Sequence, residues 1–221
     1  MAVKIPEPHR APLVSLAMML PASRKRLIDA LKSVEPMLDS DDLTTRIAPA
    51  TEMDKQDLGR IVRMLISMIL ASEGSREEFV EEVVSGAQRL IEGSEKSEVD
   101  WKSFSGDLLQ LLALEEGLGL SAKASSVLME YGRVLCDARV LTDIRPIFAS
   151  DPTHPRIASI IHSLRITYHE GKDHKEFHVA LRTSDLRDLL QAIERAFKKE
   201  ISLRGEIEKT RMRYLSDERD T

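Results

Sequence analysis

The sequence predicts an α+β protein: an all-helical N-terminal bundle, then a small three-stranded antiparallel sheet with a long C-terminal helix. Three observations carry this reading. Apolar residues at helical spacing, set off by helix-start signals, recur over residues 1–138. Hydrophobic period two then runs twice across a tight turn between residues 160 and 181, and period 3.6 returns after Thr183. Aromatic residues make up only 4% of the chain while Leu, Ile, Val and Met abound, a balance that favours helices over an all-β sandwich. The change of period near Arg139 predicts two domains, a helical bundle over residues 1–138 and an α+β domain over residues 139–221.

Residues 1–12 contain Pro6, Pro8 and Pro12 and read as an extended lead-in. Residues 13–20 and 24–34 then predict two short helices around Pro21, the second with Leu27, Leu31 and Val34 as its apolar stripe. Pro36, the acidic run at residues 39–42 and Pro49 predict an irregular connection. Thr51-Glu52-Met53-Asp54 has the form of a capping box opening a helix to about Ala71. Residues 61–70 are apolar nearly all round, which places that helix in the middle of the bundle. Ser75 caps the next helix, which buries Phe79, Val80, Val83, Ala87, Leu90 and Ile91 and stops at Gly93. Residues 93–98 read as a polar loop. Trp101, Phe104, Leu108, Leu111 and Leu112 share one helical face. Ser121 is expected to cap a last bundle helix carrying Ala124, Val127, Leu128, Tyr131, Leu135 and Ala138. The bundle therefore has about six helices.

Residues 140–148 are β-branched and extended, but Pro146 lacks a ladder donor, so this strand lies at an edge or ends at the proline. Residues 151–155 form a rigid loop. In the hairpin, Glu170-Gly171-Lys172-Asp173 supplies turn chemistry with a glycine free to take positive φ. A four-residue loop there sets His169 opposite His174, Ile166 opposite Phe177 and Leu164 opposite Val179, apolar against apolar. From Thr183 a helix carries Leu186, Leu190, Ile193 and Phe197 on one face, and it is expected to cover one face of a sheet of three short strands.

Composition limits the function. The net charge of −5 argues against a protein whose main task is holding nucleic acid. Arg24-Lys25-Arg26 is too short for a nucleic-acid footprint, and residues 182–221 are nearly balanced in charge. No apolar run approaches the roughly 18 residues that span a bilayer. Residues 11–20 come nearest to a secretory core, but Glu7, the prolines and the basic cluster that follows favour a first helix of the fold. No membrane insertion and a cytoplasmic location are expected. Cys136 is the only cysteine, so no intramolecular disulfide can form, and its helical surroundings predict a small buried hydrophobe.

Chemistry is mostly absent. There is no Gly-rich phosphate loop, no Gly-x-Ser-x-Gly elbow and no His-Glu-x-x-His helix. Glu77, Glu78, Glu81 and Glu82 read as a solvated helix face. His169 and His174 flank the hairpin mouth, with His178 further along the same face. Zinc or copper requires three or four convergent ligands, and neither Cys136 nor a carboxylate is expected beside them. The expectation is therefore exposed histidines near a turn, with no metal, no cofactor and no catalytic residue. His162 falls on the apolar face near Leu181, the setting of a core or interface histidine.

The last eighty residues resemble a COMM domain. The matching segments are Leu141-Thr142-Asp143-Ile144-Arg145-Pro146-Ile147-Phe148, His162-Ser163-Leu164-Arg165-Ile166-Thr167-Tyr168, residues 175–181, and Ser184-Asp185-Leu186-Arg187-Asp188-Leu189-Leu190. The helices-first order and the length are also similar. The resemblance implies a non-enzymatic adaptor whose α+β domain pairs with another copy, as a homodimer or higher assembly, while the helical domain meets other proteins. Its interface is expected to draw on Val140, Leu141 and Ile144 of the first strand, and on Ile161, His162, Leu164 and Ile166 of the second. Phe177 and Val179 of the third strand, with Leu190, Ile193 and Phe197 of the helix, would complete it. The alternative is an enzyme or ligand-binding protein with a pocket between the two halves, using Arg165, His178 and His169 as polar groups. A third reading is metal handling through His169, His174 and His178.

Overall fold

The computed structural model describes residues 4–72, 74–91, 99–150, 152–171 and 173–215. The fold is α+β: helices first, then a three-stranded antiparallel sheet and a C-terminal helix. The chain divides into two compact units, the first running to Val127 and the second spanning Leu128–Tyr214.

The first unit holds seven helices among the described residues: α1 (Glu7–Met18), α2 (Pro21–Ser33), α3 (Ser40–Thr51), α4 (Lys55–Ala71), α5 (Arg76–Leu90), α6 (Trp101–Leu112) and α7 (Leu118–Met129). Helix α1 starts earlier than the prolines suggested. Pro8 occupies its first turn, where a backbone N–H has no intrahelical acceptor to lose, and Pro12 is buried within the helix. Pro21 opens α2 for the same reason. The connection expected over residues 36–49 is instead helix α3. Its cap is Asp39, whose carboxylate accepts from the Asp41 N–H, and its core residues Leu43 and Ile47 stand one turn apart. Asp54, not Thr51, caps α4, accepting from the N–H groups of Gln56 and Asp57. Ser75 caps α5 by accepting from Glu78 N–H, as expected. That helix ends at Leu90; the predicted stop at Gly93 and the loop to residue 98 lie outside the described residues.

Helix α4 is the centre of the bundle. Leu58, Ile61, Val62, Met64, Leu65, Ile66 and Met68 are all buried, and α4 packs against α1, α3 and α6. Each such side chain contributes about 1.5–3 kcal/mol by leaving water. Ser121 lies inside α7 and does not cap it. Its hydroxyl donates to Gly117 O at 2.7 Å and accepts from Met37 N at 2.9 Å, tying α7 to the link between α2 and α3. Gly117 has φ +38°, and a Cβ there would run into the carbonyl oxygens of Leu31 and Val34. Only glycine fits that approach.

Helix α7 stops at Met129, so the expected continuation through Leu135 to Ala138 is overturned. Gly132, at φ +66°, breaks the chain direction, and strand β1 (Arg133–Phe148) begins at once. Apolar residues at 128, 131, 135 and 138 satisfy helical spacing, but a short apolar run fits a strand equally well, and pairing with the next strand decides. Tyr131 and Leu135 are accordingly exposed rather than core residues. The strands are also not all short. β1 and β2 (Pro155–Glu170) have 16 residues each, and β3 (Asp173–Leu181) has 9. The order is β1-β2-β3, and β1 is an edge strand that runs through Pro146.

The hairpin register is the expected one: Leu164 faces Val179, Ile166 faces Phe177 and His169 faces His174. Glu170 pairs with Asp173, so the loop is tighter than four residues, and Gly171 turns it at φ +63°. Helix α8 (Thr183–Ile207) follows, 25 residues long, and buries no residue. The expected cover over the sheet is therefore missing. α8 makes its principal sheet contact with β3, from which it emerges, and Leu190, Ile193 and Phe197 remain exposed.

Candidate functional site

Cross-strand partners in an antiparallel ladder share a face, so the register sorts the side chains of the second unit. One face carries Val140, Ile144, Ile160, Leu164, Ile166, Phe177 and Val179, together with His162 opposite Leu181. The other carries Arg139, Leu141, Arg145, Ile161, Arg165, Glu176 and His178, with His169 and His174 at the hairpin end.

The apolar face is open to solvent. Ile144 is 71% exposed, Phe177 44% and Val179 39%, while Leu164 and Ile166 are half-buried. The stripe on α8 is open too, with Phe197 61% and Ile201 70% exposed. Every buried apolar side chain among the described residues lies between Ile5 and Ala122. The second unit thus has the alternation of a core without a core. His162 joins three elements on this face: its Nδ1 lies 2.8 Å from the Thr142 hydroxyl of β1 and its Nε2 3.3 Å from the Thr183 hydroxyl at the start of α8.

The expected interface residues therefore divide between the two faces. Val140, Ile144, His162, Leu164, Ile166, Phe177 and Val179 share the apolar face, and Leu141 and Ile161 lie on the other. Leu190, Ile193 and Phe197 are on α8.

On the polar face Arg165 pairs across the ladder with His178, and its guanidinium is 3.6 Å from the Asp137 carboxylate, which also meets Arg139 at 3.0 Å. The Arg165 Nε is buried with no hydrogen-bond partner among the described residues. At the hairpin end Glu170 accepts from Arg133 at 2.7 Å and from Lys175, and these hydrogen bonds, Lys175 first, hold its carboxyl below the ordinary carboxylate range.

The expectation that Cys136 lies buried and away from the histidines is overturned. Between Leu135, opposite Tyr168, and Asp137, opposite Thr167, the ladder of β1 shifts register, and Cys136 is the extra residue of this bulge. A bulge re-aims the side chain it carries. Cys136 is exposed, and its Sγ and one ring nitrogen each of His169 and His174 lie within 4.8 Å of one another. The two imidazoles are neighbours, with ring centroids 3.8 Å apart. His178 stands outside this group, its Nε2 3.8 Å from Glu176. The bulge was the signal missing from sequence periodicity.

In the first unit Arg24 of the basic cluster is structural, while Lys25 and Arg26 are exposed. Arg24 is 2% exposed; it meets Asp107 at 2.6 Å and donates to Ser103 Oγ and to the carbonyl of Met19. Glu77, Glu78 and Glu81 are exposed on α5, as expected. No helix among the described residues is long and apolar enough to cross a membrane. In comparison with known proteins, the chain matches no family model and no curated protein.

Proposed function

We propose that the chain is a non-enzymatic interaction protein, an adaptor that self-associates through a COMM-like sheet unit and presents its helical unit to other proteins. One observation carries this reading: the second unit exposes both the apolar face of its sheet and the apolar stripe of its own long helix. Contiguous exposed apolar surfaces of this kind mark interaction sites. A second copy is the occupant that fits. A two-fold operation makes an interface self-complementary, so the helix stripe of each chain can cover the sheet face of the other. The open edge of β1, long and apolar in part, is protected by the same pairing. Nucleic acid plays no part in this reading, because the chain carries a net charge of −5. A cytoplasmic location accompanies it, since a lone exposed thiol suits a reducing compartment.

The test is sedimentation of the full chain across a concentration series, with Phe177→Asp and Ile144→Glu beside it. The wild-type chain is expected to sediment as a dimer or larger at micromolar concentration. Each variant is expected to shift towards monomer while the helical signal of the first unit is retained. A wild-type chain that stays monomeric with a cooperatively folded sheet unit would end the reading.

A further inference from the structure

We infer that Cys136, His169 and His174 form a zinc site that clamps the three strands together at the hairpin end of the sheet. The ligands come one from each strand: Cys136 from β1, His169 from β2 and His174 from β3. His169 and His174 are held opposite each other by the ladder, and the bulge at Cys136 delivers the thiol to the same place. Their ligand atoms lie within 4.8 Å of one another. Ligands on tetrahedral zinc stand roughly 3.3–3.6 Å apart, given bonds of about 2.0 Å to nitrogen and 2.3 Å to sulfur. Cys136 and His174 are exposed, so small side-chain rotations close the remaining gap.

A thiolate with two neutral imidazoles selects zinc over the hard cations calcium and magnesium, which take oxygen ligands. Three protein ligands leave the fourth position to solvent. Arg133 and Lys175 align with Glu170 and Tyr168 on the opposite face of the sheet, whereas Asp137, Glu176, Arg139 and Arg165 share the face of the site, and both of these arginines are paired with the Asp137 carboxylate. The clamp also answers a physical need. A unit with no buried apolar side chain among its described residues gains stability from any ion that binds its folded form alone. On metal binding the thiol and any protonated imidazole each release one proton to solvent, and no electron is exchanged.

The site is testable on the full chain with zinc itself, and with cobalt(II) as its spectroscopic stand-in. Because Cys136 is the only cysteine, thiol alkylation reports this site alone. One equivalent of zinc is expected to bind at micromolar concentration or below, to suppress alkylation of Cys136 and to raise the melting temperature of the sheet unit. Cobalt is expected to show sulfur-to-metal charge-transfer absorption. Cys136→Ser, His169→Ala and His174→Ala should each weaken binding by at least about ten-fold, the lower cost of disturbing even a supporting partner of a metal ligand. His178→Ala should leave binding unchanged. Alkylation at an unchanged rate under excess zinc would overturn the proposal without reliance on any variant. So would equal loss of affinity in His178→Ala and His174→Ala, or binding at millimolar zinc only.

Discussion

Arg24 shows how a charge can sit in an apolar bundle. Its guanidinium is 2% exposed, yet Asp107 and Ser103 of α6 and carbonyls at the end of α1 take its donors, and the Phe104 ring lies 5.9 Å away. The energetic value of the pair lies in not breaking it. Asp107→Ala leaves a buried cation without its counter-charge and is expected to cost about 3–5 kcal/mol, read from urea denaturation. Replacing both residues with apolar side chains of similar volume should cost distinctly less, because the desolvation of two charges is then avoided. Equal losses in the single and double variants would mean that packing, not charge, governs the position. At the same scale Cys136 turned from an expected core residue into an exposed thiol beside two imidazoles. One extra residue in a strand sufficed.

At the scale of elements, the hairpin end of the sheet is held by Glu170, which accepts from Lys175 of β3 and Arg133 of β1. Both partners favour its ionised form, so its folded pKa lies below the ordinary value of 4.5. The contribution is therefore complete above that value and is lost as pH falls through the lower, folded pKa. Carbon-13 NMR titration should find Glu170 protonating at lower pH than an unfolded glutamate, and Glu170→Gln should soften the acid limb of stability. An unshifted Glu170 would show that the ion triad does not form in solution. Asp185 behaves alike at the start of α8, where Arg182 holds its pKa down by side-chain and backbone hydrogen bonds. Helix α8 is thus well started and locally supported, while its apolar stripe stays open to solvent.

Among the described residues, the chain joins a unit with a packed core to a unit without one. Two transitions are expected on heating. The bundle transition should not depend on protein concentration, whereas the sheet transition should rise with it, because association stabilises only the folded form. Leu65→Ala, at a fully buried position in α4, should lower the first transition alone, by about 2–5 kcal/mol. Calorimetry at two concentrations separates the cases. A single transition independent of concentration would contradict both the division into units and the proposed pairing.

The sequence by itself determined the class and much of the register. The paired alternation about Gly171 set Leu164 against Val179 because any slip by one residue would turn every apolar side chain to the opposite face. The core of the bundle was legible for a like reason: Leu27, Leu31, Phe104 and Leu108 repeat with the helix period. The tertiary structure decided what periodicity leaves open. Residues 133–138 became strand because β2 offers them a ladder. Residues 40–51 became helix because Leu43 and Ile47 find a core that outweighs Pro49. The bulge at Cys136 and the open stripe of α8 were illegible for one physical reason. Each depends on what lies across from a residue in space, and spacing along a chain records only which face a side chain takes.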